Sequence, residues 1–195
     1  MTSLRPVKKS LLLLLYLTFI MSVPDGMAFE KVLDSGAWKR IESKHVILQY
    51  KRFEDIKELD GNITYSPDGW SFKDLFSSDK PEDQISSVTQ KLDGIFKKVQ
   101  NILDMRGKTK KVTINVYPNT EQLHEAYFAI TGTKCNYKAW YIFELNTIYV
   151  TIDNVHEGII AHEMAHFIID HYFSVRPPRV TAEILSRYVD QHLNF

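Results

Sequence analysis

Apolar side chains alternate with others at Val46, Leu48 and Tyr50, the two-residue period of a half-buried strand. Residues 52–80 are polar and broken by Pro67-Asp68-Gly69, which predicts a loop with room for a hairpin. From residue 81 to about 105, apolar positions recur at Ile85, Val88, Leu92, Ile95, Phe96, Val99, Ile102 and Leu103. Steps of three and four predict an amphipathic helix that buries one face. Val112, Ile114 and Val116 alternate in a second strand, and residues 121–130 read as a short helix stopped by Gly132. Residues 140–143 and 147–152 predict two more strands around a turn at Leu145-Asn146. Asp153 or Asn154 stands where it can cap the next helix, expected from about 155 to 171. That helix is apolar nearly all round (Ile159, Ile160, Ala161, Met164, Ala165, Phe167, Ile168, Ile169), which marks it as buried. Pro177-Pro178 then breaks the chain, and a last helix is expected over about 181–192. The order predicts an α+β domain, a small mixed sheet packed on helices.

At 195 residues, the chain suits one domain. Its 24 basic and 24 acidic residues leave no basic excess for binding nucleic acid. The first 28 residues are set apart from the fold. Arg5, Lys8 and Lys9 precede an uncharged, mostly apolar run over 11–23, then Pro24-Asp25-Gly26 and a small-residue site at Gly26-Met27-Ala28. This layout predicts a signal peptide cut after Ala28, with the domain over 29–195. The protein is then exported, periplasmic or secreted, and it is tied to a membrane only if the segment stays uncleaved. Cys135 is the single cysteine, so no internal disulfide can form, and it is expected to be a lone buried thiol.

Candidate chemistry centres on His162-Glu163-Met164-Ala165-His166. Positions four apart on a helix share a face, so both imidazoles can bind one ion. Glu163 follows the first ligand and can reach a water on the metal rather than the metal itself. Zinc, Zn2+, lowers the pKa of a bound water to about 7, and a nearby carboxylate takes its proton during attack on a carbonyl. A catalytic zinc usually has three protein ligands. A His six residues after His166 would mark one class, but Tyr172 stands there. The next candidate is Glu183 on the following helix, where Val180, Ile184 and Leu185 are expected to pack inward and carry it toward the core. Asp170 and Asp190 are the alternatives.

Residues 158–190 resemble the gluzincin group of zinc metallopeptidases, the thermolysin-like superfamily, and more narrowly the small bacterial peptidase MA-like domains. Those have the two-His helix, a loop ending in proline, and a helix with a Glu-Gly-Leu-Ala motif followed by Tyr. Here Pro178, Glu183-Ile184-Leu185-Ser186 and Tyr188 stand in those places. Residues 43–50, the long helix and the strand at 112–117 fit the rest of the pattern. Two departures stand out: Ile184 replaces the usual Gly, and Arg187 occupies a place where an acid often orients a ligating His. The resemblance implies metal binding by His162, His166 and Glu183, with Glu163 as base. It also implies a transition-state stabiliser supplied locally by Tyr172, His171, Tyr188 or His192, Tyr172 being favoured. The strand at 147–152 should line the cleft and pair with an extended peptide or protein substrate. The implied activity is an exported, zinc-dependent peptide hydrolase. The alternative is a weakly active or inactive zinc-containing peptide-binding module of the same fold.

Overall fold

Val46, Leu48 and Tyr50 are buried while Ile47 and Gln49 are less so, and this alternation sets the first of two faces of a five-stranded sheet. The computed structural model describes residues 38–65, 80–107 and 109–193. The expected signal segment and the Pro67-Asp68-Gly69 turn lie outside the described residues. The strands are β1 (Lys39–Glu42), β2 (Val46–Tyr50), β3 (Val112–Tyr117), β4 (Ala139–Ile142) and β5 (Thr147–Thr151). Their spatial order is β1-β2-β3-β5-β4. β2, β3 and β5 run parallel, and the edge strands β1 and β4 are antiparallel to their neighbours. The expected α+β class with a mixed sheet is the one observed.

The helices are α1 (Phe53–Asn62), α2 (Pro81–Ile102), α3 (Thr120–Thr131), α4 (Glu157–Tyr172) and α5 (Arg179–His192). One core joins the sheet face of Leu48, Ile114 and Ile148 to Leu92, Ile95 and Phe96 of α2 and to Ile160, Met164 and Phe167 of α4. Each fully buried side chain of this kind contributes roughly 2 kcal/mol. On the other sheet face Trp140 stacks on Tyr149, and Tyr127 of α3 meets Trp140 edge-on. Gly132 closes α3 with φ 71°, a left-handed cap that favours glycine.

Four expectations are corrected. Residues 53–62 form a helix, not loop. Ile56, Leu59 and Ile63 are buried at helical spacing, and the Asp55 carboxylate accepts the Arg52 amide N–H to start the first turn. Asp153 does not cap α4. Its carboxylate instead accepts from the Thr120 N–H and hydroxyl at the start of α3, 2.9 and 3.1 Å away. Cys135 is half-buried rather than enclosed. Finally, α5 is rotated from the expected face. Val180 and Ile184 are 71% and 61% exposed, while Ala182, Ser186 and Val189 are buried and Leu185 is packed in part. Small side chains on the inner face let α5 lie close against α4, and that closeness brings Glu183 within reach of the histidines.

Candidate metal centre

α4 starts at His156, whose Nδ1 accepts the Gly158 N–H at 3.2 Å and so acts as the N-cap. This fixes the helix phase. Met164, Ala165, Phe167 and Ile168 enter the core, and His162 and His166 stand together on the opposite side, partly exposed. Their rings are nearly perpendicular, 74° apart, with the two Nε2 atoms 3.2 Å from each other. Glu183 Oε2 lies 3.4 Å from His166 Nε2. One ligand atom from each of His162, His166 and Glu183 falls within 4.8 Å of the others. Donors held at 2.0–2.1 Å around a tetrahedral zinc stand about 3.3–3.4 Å apart, so two of these separations fit a shared ion. The donor set, two imidazoles and one carboxylate, is also one that zinc takes in catalytic sites.

Asp190 completes the arrangement. Its Oδ2 is 2.9 Å from His162 Nδ1. A proton on Nδ1 donates to that carboxylate, which leaves the Nε2 lone pair free to face an ion. Asp190 thus plays the orienting part that Arg187 cannot. It lies seven residues after Glu183, two helical turns on, and so returns to the same side of α5. Asp190→Ala is expected to weaken zinc binding about 10- to 100-fold, read by competition with a chromophoric chelator. An unchanged affinity would show that the His162 contact does not tune the site.

Arg187 points back instead. Its Nε donates to Glu183 Oε1 at 3.0 Å. Burial works to raise the Glu183 pKa, but the Arg187 hydrogen bond and the two histidines outweigh it and hold this carboxyl below the ordinary value. Glu183 is therefore an anion ready to ligate. For His166, burial and the neighbouring His162 disfavour the charged form, which keeps its imidazole neutral.

Glu163 is set differently. Burial pushes its carboxyl up to about 7, with Glu183 and Asp190 adding to the effect and His162 opposing it. It accepts the backbone N–H of Tyr141 on β4 and borders the same cleft as the histidines. A carboxyl whose pKa sits near neutral can both take and return a proton at working pH.

Asp170 is not part of the ligand cluster. It is buried and accepts a 2.8 Å hydrogen bond from Arg176 Nε, with Arg176 Nη2 also 2.8 Å away in an ion pair, and the guanidinium lies 4.5 Å above the Phe143 ring. Tyr172 is also not brought to the site. It is the last residue of α4, 47% exposed, packed edge-on against Phe173 and absent from the cleft wall. At 100° per residue it lies nine positions and half a rotation away from Glu163, so it faces the other way. His171, Tyr188 and His192 likewise do not line the cleft, and the last two stack on each other.

The cleft itself, about 1130 Å³, runs between β4, α4 and α5. The strand expected to line it, now β5, is buried in the sheet, and the edge strand β4 takes that place through residues 139–142. Tyr127 and Tyr137 wall one part, and Arg176, Arg179 and Arg187 border another. Of these only Arg187 stood out in the sequence, as a departure from the gluzincin pattern; Tyr127, Tyr137, Arg176 and Arg179 were not singled out as cleft residues. Among those four, Arg179 carried a usable signal, four positions before Glu183 on the same helix. Among the described residues no helix is long and apolar enough to cross a membrane. No family model, curated protein or solved structure matches the chain.

Proposed function

We propose that the protein is an exported zinc metallopeptidase of gluzincin type, similar to the peptidase MA-like domains, that hydrolyses peptide bonds. The observation that carries this reading is the convergence of His162 Nε2, His166 Nε2 and Glu183 Oε2 at separations of 3.2 and 3.4 Å beside a near-neutral Glu163. These three residues would hold zinc, which supplies Lewis acidity to a water and to the peptide carbonyl. Glu163 takes the proton released from the attacking water and returns it to the leaving amine. Asp190 holds the His162 ring in one tautomer and orientation. β4, an edge strand, offers backbone groups to an extended peptide by strand addition, with the substrate running through the cleft between β4 and α5.

A peptide-binding module with little turnover is the second reading, and one observation favours it. The Arg187 bond to Glu183 Oε1 draws charge from a ligand and would weaken the hold on an ion. One experiment separates the two readings. Purified protein should carry about one zinc per chain and hydrolyse an unstructured protein substrate; chelation should stop hydrolysis, and added zinc should restore it. A zinc-loaded protein that cleaves nothing across a broad peptide library would leave the binding module standing. A protein that cannot be loaded with zinc would remove both.

A further inference from the structure

Around the metal face and the cleft, every carboxylate has a partner. Glu163 takes the Tyr141 amide, Glu183 faces His166 and Arg187, Asp170 holds Arg176, and Asp190 holds His162. Two of the three guanidiniums are thereby matched. The Arg179 side chain has no hydrogen bond or ion pair with another described residue, although it lines the cleft one helical turn before Glu183. It is also the first residue of α5, whose first turn contains no acid and whose N-cap, Pro178, has no capping side chain. The positive end of the helix therefore adds to the guanidinium rather than being neutralised. A solvated surface arginine is the usual fate of such a side chain. Here the neighbouring acids are already engaged, so a carboxylate that enters the cleft would meet no competing acid at Arg179.

We propose that Arg179 selects substrates which present a carboxylate to the cleft, either an Asp or Glu side chain beside the cleaved bond or the C-terminal carboxylate of a short peptide. Arginine suits this task because its planar fork can engage both oxygens at once. The idea rests on the hydrolase reading for its biological use, but the recognition can be read without turnover.

Zinc-loaded protein would be given matched peptides that differ only in Glu against Gln next to the scissile bond, each with a free or an amidated C-terminus. One carboxylate-bearing form should be favoured about tenfold in kcat/KM, a modest factor because Arg179 is exposed. Comparing the two arms identifies which carboxylate is read. Arg179→Gln should reduce the ratio to about twofold or less, Arg179→Lys should keep part of it, and Arg179→Glu should turn the preference toward Lys-bearing peptides. Because each ratio is taken within one variant, a change in overall activity does not disturb it. The same peptide pairs, labelled and titrated by fluorescence anisotropy onto the Glu163→Gln protein, give the ratio of Kd values without hydrolysis. If peptides are cleaved but neither ratio depends on Arg179, the proposal is overturned while the hydrolase reading stands. If nothing is cleaved and the Kd ratio still follows Arg179, the hydrolase reading falls and carboxylate recognition stands.

Discussion

Glu163→Gln is expected to keep zinc at full stoichiometry and to lower kcat/KM by about 10³-fold, within the range ascribed to a positioned general base. Glu163 contributes no atom to the His162, His166, Glu183 cluster, so its loss removes no ligand. Gln is nearly the same shape, and its amide oxygen can still accept the Tyr141 N–H, so the local packing survives. What it cannot do is accept a proton. The loss should fall on kcat rather than KM, since the interaction exists only as the bond is attacked. Metal content by atomic emission and steady-state hydrolysis of one fluorogenic peptide decide the matter. Turnover within about threefold of wild type would assign the base elsewhere. Loss of zinc together with turnover would mean that residue 163 supports the ion itself.

The helix that carries the two histidines was legible because its information is local. Two histidines four apart must share a helix face, whatever surrounds them. Glu183 was reachable by the same logic one element later, though for a partly mistaken reason. Val180 and Ile184 look like inward anchors, yet both point to solvent, and the close approach is made by Ala182 and Ser186, whose small size gives no sign in a hydrophobic pattern. Asp190 repeats Glu183 after two turns, a period visible in the chain, but nothing local tells which acid will meet His162. Helix α1 was hidden in another way: Glu54, Asp55, Lys57, Glu58 and Asp60 crowd around Ile56 and Leu59 and make an amphipathic helix resemble loop. β1 (Lys39–Glu42) was missed because an edge strand of mostly charged residues has little apolar alternation to show. The cleft wall lay furthest from reach. That β4 rather than β5 borders it depends on the strand order β3-β5-β4, a long-range property that no short window contains.

The same Glu163 proposed as the base is expected to cost the metal-free fold stability. Burial raises its carboxyl from 4.5 to about 7. Between those two values the native state holds the proton more tightly than the unfolded chain does. Native protein then binds more protons than unfolded protein, so stability must fall as pH rises through this window and level off above it. Below the unfolded value the group is neutral in both states and contributes no difference. A shift of this size corresponds to roughly 3 kcal/mol by the linkage relation, and access to water in the cleft would trim that toward about 2 kcal/mol. Gln at this position is neutral at every pH. In chelator, the Glu163→Gln protein should therefore match wild type near pH 4 and exceed it by about 2–3 kcal/mol at pH 8, measured by urea denaturation. Other titrating groups are common to both proteins and largely cancel in the difference. Zinc should shrink the gap, because a nearby cation favours the ionised carboxylate. A gap that is flat with pH would mean that Glu163 is well solvated in the native protein. Its pKa would then lie near the ordinary value, and it would not be tuned to exchange a proton at neutral pH. A gap of the opposite sign, with wild type the more stable at pH 8, would mean that the ionised carboxylate is already satisfied without metal.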